Sequence, residues 1–133
     1  MAGLIRPACE AAFAEAGAEP SGELSVLLTD DAQIHALNRD FRGKDKPTNV
    51  LSFPQDMPGL FGDVILARET LEREASEQGK TFEHHVAHML VHGVLHLLGF
   101  DHLEDAEAEA MEATEVRALA RLGIDNPYAA AHI

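Results

Sequence analysis

The sequence predicts an α+β fold: a single domain in which a small mixed β-sheet is packed with about five α-helices, one of them a central, metal-bearing helix. Three observations carry this expectation. Three short apolar runs of strand length are interspersed with five longer helix-compatible segments, a mixture that buries its apolar faces by laying helices on a sheet. The chain has 133 residues, enough for one ordinary core and too few for two, so residues 1–133 are expected to form one unit without an interior linker. Hydrophobic residues make up 46% and charged residues 25%, the balance of a globular protein. No stretch approaches the roughly eighteen consecutive apolar residues that suggest a membrane span.

Each element has its own local cause. Residues 7–16 are alanine-rich, with Pro7 suited to a first-turn position and Gly17 suited to end the helix. Cys9 is a small apolar residue within it. Behind the turn Pro20-Ser21-Gly22, residues 23–29 are leucine-rich and β-branched and read as a strand. Asp30 and Asp31 offer an N-cap to a helix through Asn38. A basic loop from Arg39 to Thr48 leads to residues 49–53, a short apolar strand stopped by Pro54. Residues 62–67 are the third strand, and the modest connection containing Pro58-Gly59 makes these two natural sheet neighbours. Residues 69–78 read as a helix closed by Gly79, and residues 82–98 as a helix broken only by Gly93. The last helix starts at a capping-box-like Asp101-x-x-Glu104. It carries Glu104, Asp105, Glu107, Glu109, Glu112 and Glu115 on a solvated side, and packs through Met111, Ala118, Leu119 and Leu122. Its Arg117 and Arg121 lie near the end where the helix dipole favours cations.

The most informative stretch is His92-Gly-Val-Leu-His96-Leu-Leu-Gly99-Phe-Asp-His102. Two histidines four apart on a helix differ by about 40° in azimuth and about 6 Å in rise, so both rings can meet one ion. Gly99 falls where a helix end takes a left-handed residue, which brings His102 back toward the same ion. Three imidazole ligands favour Zn²⁺, one per chain, with the fourth tetrahedral position left for water. The spacing is shared with zinc proteases of the metzincin type, but those place a glutamate after the first histidine as general base, and here Gly93 can neither take nor return a proton. His88 lies a further turn back, about 80° from His96, and is expected to be packed or to support a ligand rather than to be one. His35, His84, His85 and His132 carry no spacing signal. Asp101 is assigned to capping.

Charge bounds the partners. The net charge is −13, which is poor for long-range attraction to a polyanion. Yet four of the ten basic residues, Arg39, Arg42, Lys44 and Lys46, fall within eight positions, beside only Asp40 and Asp45. A local cationic patch follows, although Gly43, Asp45 and Pro47 would also suit a solvated turn. A single cysteine permits no intramolecular disulfide, and the N-terminus lacks the basic region and long apolar core of a secretory signal. Both favour a reducing, cytoplasmic setting.

Asn38-Arg-Asp-Phe-Arg42-Gly-Lys-Asp-Lys-Pro-Thr-Asn-Val-Leu-Ser-Phe-Pro54, then Gly62-Asp63-Val64, then the His92–His102 motif, follow one another in an order that resembles the YbeY family of bacterial rRNA-maturation endoribonucleases. The resemblance implies a single-strand-specific, metal-dependent endoribonuclease acting at the 3′ end of small-subunit rRNA and in ribosome quality control. It implies His92, His96 and His102 as zinc ligands and Arg42 as the arginine required for activity. Its implied partners are single-stranded RNA and ribosomal subunits or a ribosomal protein, with no role for DNA or a membrane. Three departures stand out: the chain begins almost at the first helix where relatives have a strand, Phe100 replaces a common tyrosine, and the connection from Pro54 to Gly62 is short.

In such an enzyme Arg42 would donate paired hydrogen bonds to the phosphorus oxygens, while Arg39, Lys44 and Lys46 would hold flanking phosphates. Whether a zinc-activated water or the substrate's 2′-OH attacks is left open by the sequence. Two other classes fit part of the pattern: a zinc hydrolase of other substrates, disfavoured by Gly93, and a ribosome-assembly binding factor with a structural zinc, favoured by the acidic surface.

Overall fold

The computed structural model describes residues 2–18, 22–55, 59–100 and 104–128. Its elements run in the order α1 (Ala2–Ala16), β1 (Gly22–Thr29), α2 (Asp31–Arg42), β2 (Val50–Pro54), β3 (Gly59–Ala67), α3 (Arg68–Gln78), α4 (Phe82–Leu97) and α5 (Asp105–Arg121). Among the described residues this is the predicted set of three strands and five helices. No helix among them is long and apolar enough to cross a membrane.

The sheet has the order β1-β3-β2, with β1 parallel and β2 antiparallel to β3. The expected pairing of β2 with β3 is therefore present, with Leu51 opposite Ile65 and Phe53 opposite Asp63. Side chains alternate across a strand, so the central strand β3 feeds two layers. Val64 and Leu66 join the main core with α1, α4 and α5, while Ile65 and Ala67 pack with Ile34 of α2 and Leu51 of β2. Burial on both faces explains why β3 reads as a continuous apolar run rather than an alternating one.

Helix α4 is the central element. Its N-cap Thr81 accepts a hydrogen bond from the backbone N–H of His84. Residues Val86, Leu90, Val91, Val94 and Leu95 are buried around most of its circumference, and Gly99 follows its C-terminus at φ 99°.

Four local expectations are corrected. Helix α1 starts at Ala2, so Pro7 lies inside it; the turn ahead of the proline is held because Leu4 and Ile5 pack against the core. Helix α2 runs past Asn38 to Arg42, since nothing in Arg39-Asp-Phe-Arg42 breaks a helix. It stops at Gly43, where φ is 70° and the N–H groups of Gly43 and Lys44 close onto the carbonyls of Arg39 and Asn38. Strand β3 begins at Gly59 rather than residue 62. At the start of α5, Glu104 occupies the N-cap position and makes no side-chain cap bond, so no capping box forms through it; Asp101 lies outside the described residues.

A cap is instead supplied between helices. Ala67 at the N-cap of α3 has no side-chain acceptor to offer, and the Asp31 carboxylate from α2 accepts from Thr70 N–H at 3.2 Å and Thr70 O–H at 2.7 Å. Glu69 reciprocates by accepting from the Asp31 N–H at 2.9 Å. This exchange fixes the N-terminal end of α2 against α3, opposite the end that carries Arg42.

Candidate active site

A cleft of about 470 Å³ opens between α4, β2 and the end of α2. It is lined by His92, His96 and Leu97 of α4, by Val50 to Ser52 of β2, by Arg42 at the end of α2, and by Lys44 and Lys46 from the loop that follows. The fold thus brings together two of the three predicted metal ligands and three of the four predicted phosphate-binding cations. Arg39 does not line the cleft; it pairs with the adjacent Asp40 at 3.0 Å on the exposed side of α2. His102 lies outside the described residues, and among the described ones no group of three or more His, Cys, Asp or Glu gathers as a metal-ligand set.

The histidine pair sits as helical spacing requires. The rings of His92 and His96 have centroids 4.7 Å apart at 80° to one another. Between them Gly93 meets the sheet: a Cβ there would lie 2.8 Å from Val64 Cγ1 and 3.0 Å from Ser52 Oγ. Ser52 Oγ donates to the Gly93 carbonyl at 3.0 Å, tying β2 to α4 across the cleft floor. The missing general base thus has a packing cause as well as a chemical consequence. The helix lies too close to the sheet at residue 93 to admit a side chain.

Sequence reasoning placed Glu115 on the solvated face of α5, and the structure overturns this. Glu115 is 1% exposed and faces α4. Its Oε2 accepts from His92 Nδ1 at 2.7 Å; its Oε1 lies 2.9 Å from His88 Nε2 and also accepts from the hydroxyl of Tyr128. Burial alone would raise its pKa, but hydrogen bonds from His88, His92 and Tyr128 outweigh it and hold the carboxyl at about 2. Burial and the adjacent Glu115 carboxylate push the Tyr128 phenol well above its ordinary value, so it stays protonated as a donor. A signal for Glu115 was present: it lies four residues from both Met111 and Leu119 and three from Ala118, in the row already assigned to packing. The expectation that His88 is packed or supporting is met, because it is buried and bonded to the same carboxylate as His92.

A second histidine–carboxylate pair lies one turn earlier. His85 Nε2 is 2.9 Å from Glu74 Oε1, and Asn49 Nδ2 donates to the same carboxylate at 3.3 Å. His85 is buried, and burial lowers its pKa against the opposing pull of Glu74. The Nδ1 atoms of His85 and His88 are buried without a hydrogen-bond partner. An N–H placed there would be unsatisfied, so in the neutral rings the proton belongs on Nε2, facing the glutamates. Asn49 and Ser52, which border the cleft, are thus committed to structure, and Asn38 donates to the Lys46 carbonyl at 2.8 Å to shape the basic loop.

The donor set fits a nitrogen-ligated cation such as zinc. A ligating imidazole characteristically gives its other N–H to a carboxylate, and His92 does this toward a buried glutamate. In the neutral ring a proton on Nδ1 would present Nε2 to a cation, on a helix face where His96 stands one turn on.

Comparison with known proteins places these features in a lineage. The family model described as Endoribonuclease YbeY matches residues 1–123. An Endoribonuclease YbeY of Sphingopyxis alaskensis is 57% identical over 127 residues, covering 86% of this chain and 76% of that protein. One from Azorhizobium caulinodans is 58% identical over 130 residues, covering 92% and 82%. Among solved structures, the solution structure of TM1509 from Thermotoga maritima superimposes with a TM-score of 0.58 at 29% identity, covering 91% of this chain and 82% of that one.

Proposed function

This chain belongs to the YbeY endoribonuclease family, and from that membership and the cleft we propose that it is a metal-dependent, single-strand-specific endoribonuclease of rRNA maturation and ribosome quality control. The observation that carries this reading is the cleft itself, which Arg42, Lys44 and Lys46 line together with His92, His96 and residues of β2. His92 and His96, with His102 as the third ligand, would hold one zinc ion, which when bound supplies Lewis acidity toward a phosphodiester oxygen.

The protein's own groups divide the remaining work. Arg42 stands in the last turn of α2, held by the Gly43 cap behind it and the Asp31–Thr70 exchange at the other end. Its planar fork matches the non-bridging oxygens of the scissile phosphate and stabilises the charge that grows on them. Lys44 and Lys46 neutralise flanking phosphates, contributing affinity without base readout. Arg39 reaches RNA only from outside the cleft. The net charge of −13 opposes long-range capture of naked RNA and supports delivery of the substrate by ribosomal subunits or a ribosomal protein.

The test is cleavage of an end-labelled single-stranded RNA by the zinc-loaded protein, beside His96→Ala and Arg42→Ala proteins prepared identically. His96→Ala is expected to lose both metal and cleavage. Arg42→Ala is expected to keep the metal and lose cleavage about 100-fold or more, the size of effect seen when a charge-stabilising donor is removed. Equal cleavage by all three would assign the activity to a contaminant and move the chain to a binding role in ribosome assembly.

A further inference from the structure

We infer that Glu115 is a positioning residue for the metal site, a buried carboxylate on α5 that fixes the tautomer and direction of His92 and is itself aimed by His88 and Tyr128. The inference rests on the metal reading of the cleft and extends it to α5, none of whose residues line that cleft.

The geometry gives the carboxylate little freedom. One oxygen, Oε1, is claimed by His88 Nε2 at 2.9 Å and by the Tyr128 hydroxyl, leaving Oε2 to receive His92 Nδ1 at 2.7 Å. His88 can donate only from Nε2, since its Nδ1 is buried without a partner. The three donors converge from two elements: His88 and His92 lie one turn apart on α4, and Tyr128 follows the end of α5. A bidirectional acceptor is thereby locked on both sides. The His92 proton is drawn to Nδ1, and its ligand nitrogen is set to Nε2.

Stability gives no simple reason for an ionised group here. Burying a carboxylate is unfavourable unless every lone pair is met, and an apolar residue between Met111 and Leu119 would fill the same place without that demand. The network is one in which two carboxylate oxygens are satisfied by two imidazoles and a phenol, at the back of the only imidazole pair that lines the cleft among the described residues. Carboxylate support of a ligand imidazole commonly changes metal affinity 10- to 100-fold.

Two measurements separate this inference from the reading beneath it. Zinc affinity is measured by competition with a chromophoric chelator for the parent, His96→Ala, Glu115→Gln and Tyr128→Phe proteins, with cobalt spectra as a second readout. The parent is expected to bind one zinc and His96→Ala to lose it. Failure of that pair overturns the metal reading and this inference with it. Glu115→Gln is expected to bind roughly 10- to 100-fold more weakly with an altered cobalt spectrum, and Tyr128→Phe to weaken binding less. Unchanged affinity and spectrum in Glu115→Gln, with the parent binding normally, overturns the positioning role alone. If Glu115→Gln does not fold, long-range ¹H–¹⁵N spectra of the metal-free parent decide. A proton on His92 Nδ1 supports the inference, and a proton on Nε2 overturns it, because a merely structural glutamate has no need to select that tautomer.

Discussion

Replacing Gly93 by alanine asks whether packing or helix propensity governs the centre of α4. In an isolated helix the change is stabilising by about 1 kcal/mol, because glycine loses more backbone freedom on folding. Here the added methyl would sit 2.8 Å from Val64 Cγ1, 3.0 Å from Ser52 Oγ and 3.4 Å from Val50 Cγ2. Val64 is fully buried and packed on the central strand, so it has nowhere to retreat. Overpacking of this kind costs about 1–3 kcal/mol, and moving β2 away from α4 to relieve it sacrifices the Ser52–Gly93 hydrogen bond, worth about 1 kcal/mol. The balance is a net destabilisation of about 1–3 kcal/mol. For a domain of this size that corresponds to a fall in Tm of roughly 3–12 °C. Thermal and urea unfolding of the metal-free protein, followed by circular dichroism, measures it without interference from ligand binding. A Gly93→Ala protein as stable as the parent, or more stable, would refute the close approach of helix to sheet. Gly93→Glu, which restores the base of the zinc proteases in sequence, is expected to fail in folding rather than to gain peptidase activity.

The other predictions concern elements away from the cleft floor. Asp31→Ala removes the cap that α2 lends to α3 and is expected to lower stability by about 1 kcal/mol in urea unfolding, with zinc content unchanged; no loss would mean that the Thr70 hydrogen bonds are replaced by solvent. His85 gives a pH dependence. Its folded pKa is depressed below 6.5, chiefly by burial, so the unfolded chain binds protons more readily. The stability it contributes is complete above pH about 6.5 and is lost as pH falls through the folded value. His85→Leu is therefore expected to flatten the decline in stability on the acid side of that pH. An identical slope in parent and variant would contradict the burial of this ring.

Much of the fold was legible because its signals are local. Gly17, Gly43, Gly79 and Gly99 adopt positive φ, and those at 17, 79 and 99 stand where the helix ends were expected. Asp30 caps α2 through the N–H of Gln33, and the pairing of β2 with β3 followed from a short connection. The failures were also local in origin. The basic run from Arg39 suggested a loop, yet charge does not stop a helix; only the left-handed glycine at 43 does. That correction matters to function, because it moves Arg42 from a loop to the last turn of a capped helix, where its backbone is fixed.

The candidate site was legible only where a single helix sets the geometry. His92 and His96 are four residues apart, and helical geometry alone brings their rings together. Glu115 is 23 residues from His92, on a different helix, and no periodicity relates the two; an acidic residue in an acidic helix looks solvated until the packing face is counted residue by residue. Met111, Thr114, Ala118 and Leu119 are all buried, and a helix cannot bury these four without also burying the residue among them. Placing a glutamate in that row obliges the facing helix to supply donors, and α4 supplies His88 and His92. A charged residue in the apolar stripe of one helix is therefore a sequence-level pointer to histidines, arginines or lysines on its partner. In this chain that rule leads from Glu115 to His88 and His92, behind the histidine pair that lines the cleft.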